Sequence, residues 1–154
     1  MPYWLMKSEP AEVSIDDLAA AKKQTTAWFG VRNYLARNYM REMKLGDRAF
    51  FYHSSCPEPG IAGIVEISTL AYPDATQFEP KGKYYDAKAT KDNPRWFNVD
   101  VTLVEKTRLV SIAEMREIPA LADMVTLRKG NRLSITPVTA QEWAAVSKRL
   151  KAAK

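Results

Sequence analysis

The sequence predicts an α+β fold in which a curved sheet or small barrel carries helices at both ends and between its early strands. Apolar runs of strand length recur along the whole chain, so strand pairing has to be non-local. Three capping boxes begun by Ser or Thr mark where helices open. A length of 154 residues with 46% apolar content suits one domain with a real core, so residues 1–154 are expected to form a single unit.

Tyr3-Trp4-Leu5-Met6 is an aromatic and aliphatic run short enough for a buried first strand, ending at the polar turn Lys7-Ser8-Glu9-Pro10. Ser14-Ile15-Asp16-Asp17 is the first capping box, opening a short helix to about Ala21 that buries Ile15, Leu18 and Ala19. Val31 to Lys44 is predicted as an amphipathic helix. Val31, Leu35, Tyr39 and Met43 form its apolar stripe, and Asn33, Arg37, Arg41 and Lys44 gather on the opposite face. Gly46-Asp47 ends it. Arg48 to His53 is a strand buried on both faces, and the proline-bearing loop from Ser54 to Gly60 leads into a strand-like run from Ile61 to Tyr72. Gly63 inside that run marks a bulge or a close backbone approach. Phe97, Val99, Val101 and Leu103 alternate with Asn98, Asp100 and Thr102, the clearest period of two in the chain. Ser111-Ile112-Ala113-Glu114 opens a short helix toward Glu117, and Leu133-Ser134-Ile135 is a last strand before Pro137. Thr139-Ala140-Gln141-Glu142 opens a helix through Leu150 with Trp143, Val146 and Leu150 facing inward. The basic tail from Lys148 to Lys154 is expected to fray.

A net charge of +5 favours polyanionic partners. No stretch approaches the roughly 18–20 apolar residues of a membrane span. Lys7 interrupts the first apolar run too early for a signal peptide. Cys56 alone excludes an internal disulfide framework and fits a reducing compartment. An intracellular chain with no membrane partner is expected, cytoplasmic in a bacterium and nuclear in a eukaryote.

One histidine and one cysteine cannot supply the three or four nitrogen and sulfur ligands that zinc takes, so no metal is expected. No phosphate loop or dinucleotide fingerprint is present, and no cofactor is expected. Cys56 and His53 lie three apart without an oxyanion pattern or a group to orient the base. The carboxylates of Asp16, Asp17, Asp74, Asp86 and Asp100 form no evident acid–base pair. What remains is aromatic and basic. Trp28 sits in Ala27-Trp28-Phe29-Gly30 before the basic-faced helix, and Tyr72-Pro73-Asp74 closes a long strand. Trp96 follows a loop carrying Lys81, Lys83, Lys88 and Lys91. Aromatics at strand ends beside cationic loops are the parts from which single-stranded nucleic-acid sites are made. Ordinary core or rim packing is the competing reading of these aromatics, and a solvated surface that of the basic helix face.

Several runs, taken in order, resemble signature motifs of the EVE domain family. They are Tyr3 to Pro10, Trp28 to Tyr34, Ala36-Arg37-Asn38, Phe50 to Ser54, Gly60 to Gly63, Ala71 to Asp74, Asn93 to Trp96 and Arg132 to Ile135. The resemblance runs from Tyr3 to about Trp143. It implies a PUA-like fold, a small mixed β-barrel flanked by helices, related to the YTH readers of methylated adenine. It also implies a non-catalytic reader of a modified base, with methylated or hydroxymethylated cytosine in DNA foremost. Carried over by motif, a base-binding pocket draws on Lys7, Ser8, Asn33, Tyr52, His53, Ser54, Tyr72, Pro73, Asp74, Trp96, Leu133 and Ser134, with Trp28 as the stacking wall. Lys7-Ser8, Asn33 and Asp74 read the base edge. Phosphates fall to Arg32, Arg37, Arg41, Lys81, Lys83 and Arg132, making the partner nucleic acid, modified DNA or RNA. Phe29 and Leu35 stand where many family members carry Asp and Gln. Leu35 is phased to the core, while Phe29 adjoins Trp28, where it reshapes the mouth or adds a stacking surface. Two alternatives accompany this reading: a PUA-like module for transfer or ribosomal RNA, and a small nucleotide hydrolase using His53 and Asp74.

Overall fold

The computed structural model describes residues 3–151. Its strands are β1 (Tyr3–Ser8), β2 (Thr25–Ala27), β3 (Arg48–His53), β4 (Gly60–Ile67), β5 (Tyr72–Pro73), β6 (Phe97–Asn98), β7 (Asp100–Ser111) and β8 (Ile135–Val138). The helices are α1 (Ile15–Ala20), α2 (Tyr34–Glu42), α3 (Ile112–Arg116) and α4 (Ala140–Lys151). Six strands form one mixed sheet in the order β2-β7-β4-β3-β1-β8, and β5 and β6 form a separate ribbon. Within this sheet only β1 and β3 pair in parallel; the other neighbours run antiparallel. The expected α+β architecture is present, but the end strands β2 and β8 do not pair, so the sheet is curved and open rather than a closed barrel.

The unbroken apolar runs of β1 and β3 reflect a sheet covered on both faces. Trp4, Met6, Ala49 and Phe51 enter one core with Ile15, Leu18 and Trp28. Leu5, Phe50 and Tyr52 enter the other with Met115, Val146 and Leu150. Successive side chains of a strand alternate faces, so each run serves both cores. Gly63 is both a bulge and a close approach: the β4–β7 register shifts beside it. A Cβ there would lie 2.7 Å from the Glu105 carbonyl and 2.7 Å from Ile15 Cδ1.

The first and third capping boxes are reciprocal, as expected. Ser14 Oγ accepts from the Asp17 N–H at 3.0 Å while Asp17 accepts from the Ser14 N–H at 2.9 Å. Thr139 and Glu142 repeat the exchange at 3.1 and 2.9 Å. The box at Ser111 is half formed: Ser111 Oγ accepts from the Glu114 N–H, but the Glu114 carboxylate turns to Arg108 and Arg149.

Several expectations are corrected. The helix placed over Val31 to Lys44 is only Tyr34–Glu42, because Asn33 accepts from the Ala36 N–H at 3.0 Å and so caps it. With the start moved, Ala36 and Met40 form the buried row, and Leu35 is 47% exposed instead of core-facing. The run from Ile61 to Tyr72 breaks after Ile67, and Tyr72-Pro73 joins the ribbon with Phe97-Asn98. The last strand starts at Ile135 and passes through Pro137, which an edge strand tolerates because it pairs on one side only. Lys148 to Lys151 are helical in α4, and the rest of the tail expected to fray lies outside the described residues. Among the described residues no helix is long and apolar enough to cross a membrane.

Candidate functional site

The parallel strands β1 and β3 end side by side at Ser8 and His53. Past them the chain stays fastened: the Ser54 N–H donates to the Ser8 carbonyl at 2.9 Å, and the Lys7 N–H donates to the Ser134 carbonyl at 2.8 Å. The turn after β1, the loop after β3 and the approach to β8 therefore meet at one end of the sheet. Beyond β2, the Trp28 N–H donates to the Val99 carbonyl at 2.8 Å, which sets Trp28 across from them. Between these walls lies an open cavity of about 480 Å³. That volume lies within the roughly 300–1,000 Å³ range of small-molecule sites.

Trp28 lines the cavity while only 7% exposed, its indole meeting Phe51 edge-on at 5.4 Å and 84°. Phe29, 41% exposed, lines it too and meets Tyr84 edge-on at 6.0 Å. Gly30 has φ of +84°, and a Cβ on it would lie 2.7 Å from the Tyr84 ring. Glycine is thus required twice over, for the backbone angle and for the ring above it. Asp74 holds this segment from beneath. It is buried and accepts from the Gly30 N–H at 2.8 Å, the Arg32 guanidinium at 3.2 Å and Thr76 at both its N–H and hydroxyl. Arg32 also donates to the Val31 and Tyr84 carbonyls and to Thr76 Oγ1, so all its donors are engaged within the protein.

The rim is cationic, with Lys7, Arg32, Lys83 and Arg132 facing the carboxylates Glu9 and Glu12. Burial lowers the Lys7 ammonium from its ordinary value. Glu12 joins Lys83 and Tyr84, accepting from Lys83 at 2.6 Å and from the Tyr84 hydroxyl at 2.8 Å. These donors hold the Glu12 carboxyl below the usual range, the Lys83 bond foremost. Burial and then the Glu12 hydrogen bond push the Tyr84 phenol up. Together the three side chains fasten the loop around Tyr84 to the chain just before α1.

Of the residues expected in a base pocket, Lys7, Ser8, Trp28, Ser54 and Ser134 line this cavity, as do Arg32, Lys83 and Arg132 from the expected phosphate set. The others lie elsewhere. Asn33 gives its Oδ1 to the α2 cap and does not line the cavity. Every bond of the Asp74 carboxylate is internal, so Asp74 is not free to read a base edge. Tyr52 is buried in the core opposite Trp28, because it follows Phe51 by one residue on β3. His53 Nε2 accepts from the Ile15 N–H at 3.1 Å and completes the start of α1. Tyr72 and Pro73 are exposed on the ribbon, with the Tyr72 hydroxyl on Asp100 at 2.5 Å. Trp96 is buried, and its indole N–H donates to Asp86 at 2.7 Å. Leu133 lies beside the cavity without lining it, its N–H on Asn131. Arg37 donates to the Arg95 carbonyl at 2.8 Å, Arg41 lies over Phe97, and Lys81 borders a separate shallow depression. Arg32 lines the cavity as a brace whose donors are filled, not as a free phosphate ligand. Sequence reasoning missed Glu9, Glu12, Thr26 and Tyr84; Glu9 lay within the Tyr3 to Pro10 run and Tyr84 beside lysines, while Glu12 and Thr26 carried no signal.

Among the described residues no group of three or more His, Cys, Asp or Glu side chains is placed to hold a metal. No hydrogen bond of the described residues joins His53 to Asp74, so the hydrolase pair is not assembled.

A family model described as the EVE domain matches residues 2–149. Human thymocyte nuclear protein 1 is 47% identical over 159 residues, covering 92% of this chain and 70% of the human protein. A crystal structure of a Pseudomonas putida protein shares 48% identity with a TM-score of 0.91, covering 95% of this chain and 97% of that one. The human THYN1 protein, solved in complex with 5-methylcytosine containing DNA, has a TM-score of 0.95 and 44% identity, covering 100% of both chains.

Proposed function

The chain belongs to the EVE domain family, and from that premise we propose that it is a non-catalytic reader that takes a modified cytosine from DNA into the cavity beside Trp28. The observation that carries the proposal is the cavity itself: about 480 Å³, open, walled by Trp28 and Phe29 and rimmed by Lys7, Lys83 and Arg132. A relative of the same fold solved on 5-methylcytosine containing DNA supports the choice of ligand.

A base inside a duplex cannot reach such a space, so it enters from a single strand or after extrusion. Phe29 offers the open aromatic surface, and Trp28 forms the wall behind it. Polar groups at Lys7, Ser8, Ser54 and Ser134 surround the edge of the ring that enters. A methyl group distinguishes ligands in an apolar niche by about 1–3 kcal/mol, so discrimination is moderate. The surplus of cations at the rim favours a polyanion and makes affinity fall with salt.

The test is binding of single-stranded oligonucleotides that differ only in 5-methylcytosine, 5-hydroxymethylcytosine or cytosine at one position, alongside RNA of the same sequence. Tighter binding of a modified DNA is expected. Equal affinity for all of them, or stronger binding of unmodified RNA, overturns the reading. Phe29→Ala, at an exposed position, is expected to weaken binding of the modified strand several-fold with an unchanged melting temperature.

A further inference from the structure

A second aromatic surface lies on the far side of Arg32 from the cavity. Tyr34, the first residue of α2, stacks on Trp96 with centroids 4.8 Å apart and planes at 25°, yet is 47% exposed. Guanidinium groups surround the pair. Arg37 lies 4.8 Å from the Tyr34 ring and 5.9 Å from Trp96, and Arg95 lies 5.7 Å from Tyr34 and bonds its hydroxyl. Arg41 lies 4.8 Å from the neighbouring Phe97 ring, and Arg32 lies 5.4 Å from Trp96. The acids do not balance this charge. Asp74 pairs with Arg32 and Asp86 with Arg95, while among the described residues neither Arg37 nor Arg41 has a carboxylate partner.

Unneutralised guanidinium groups beside an exposed, rigidly backed phenol suit a polyanion whose subunits are themselves flat rings. An acidic peptide would use the charges and leave the phenol idle, whereas a polynucleotide uses both. The shelf is continuous with the cavity through Arg32, which lines the cavity on one side and touches the Trp96 ring on the other. Building on the modified-base reading, we propose that Tyr34, Arg37 and Arg41 form a shelf for the single strand flanking the captured nucleotide. A neighbouring base stacks on Tyr34 while its phosphates lie against Arg37 and Arg41. The cavity then selects the base, and the shelf supplies sequence-independent affinity that grows with strand length.

The experiment compares the free 5-methylcytosine nucleoside with a trimer and a heptamer carrying it centrally, titrated against the parent chain, Tyr34→Leu and the double variant Arg37→Gln with Arg41→Gln. Circular dichroism checks that each variant stays folded. The parent is expected to bind the heptamer more tightly than the nucleoside. Tyr34→Leu should lose about ten-fold for the heptamer, the scale of one base–aromatic stack, with nucleoside affinity unchanged. The double variant should reduce the slope of log affinity against log salt by about 1.4, two single-strand phosphate contacts. Heptamer binding by Tyr34→Leu equal to the parent's overturns the shelf, as does nucleoside binding that gains nothing with length. Failure of the parent to bind nucleoside and heptamer alike overturns the base reading and the shelf with it.

Discussion

His53 shows how a side chain beside the cavity serves the fold. Its Nε2 accepts the Ile15 N–H at the positive end of α1, a bond only the neutral ring can make. Burial lowers its affinity for a proton from the ordinary value of 6.5, against a weaker opposing pull from Asp16. The unfolded chain therefore binds the extra proton first, and stability rises with pH between the lowered folded value and 6.5. Stability is fully present above 6.5 and drains away as pH falls below it. Urea midpoints measured from neutral pH downward should show this decline, and His53→Gln should flatten it; an unchanged decline in that variant assigns the effect elsewhere. Trp28 carries a second lesson. As a buried wall packed on Phe51, its truncation to Ala should cost about 3–5 kcal/mol, measurable by denaturant unfolding, so loss of binding in that variant would not isolate stacking. Trp28→Phe, which keeps an aromatic wall, is the sounder probe.

At the level of elements, local chemistry was legible and rotation was not. The boxes at Ser14 and Thr139 could be read because each involves residues three apart, whose bonds need nothing from the rest of the molecule. The two-faced burial of β1 and β3 was equally legible as unbroken apolar runs. The α2 stripe was misphased because Val31 and Met43 are buried from outside the helix, so the four-residue spacing joined residues that do not share one helical face. The same ambiguity explains Asn33, whose place in a basic motif concealed a cap. Asn33→Ala should lower stability by about 1 kcal/mol in thermal unfolding and leave nucleoside binding unchanged. Gly63→Ala should be costlier than its single methyl implies, about 1–3 kcal/mol, because the obstruction includes a strand carbonyl. Motif order named Lys7, Ser8, Trp28, Ser54 and Ser134, which the structure brings to one cavity, yet it did not distinguish Tyr52, which faces the other core.

Across the whole molecule, the site depends on the irregular stretch between β5 and β6, where no periodicity guides a reader. Tyr84 reaches the cavity because Arg32 grips its carbonyl and Glu12 its hydroxyl, ties spanning 52 and 72 positions of sequence. Such contacts leave no local trace, which is why Glu12 escaped the sequence reading and Tyr84 showed itself only through the lysines beside it. Glu12→Ala should release this stretch, and hydrogen exchange at the amides of residues 82–86 should quicken while those of β3 and β4 stay protected; uniform protection would show that Arg32 alone suffices.

The pairing of β1 with β8 has an outcome for biosynthesis. Lys7 and Ser134 form one wall and are hydrogen-bonded across nearly the full span of the chain. A ribosome-bound nascent chain that has not yet released β8 holds Lys7 without its partner, so this wall of the cavity closes only after Ser134 has emerged. A chain cut before Ser134 would therefore lack one side of the cavity and leave the β1 edge unpaired.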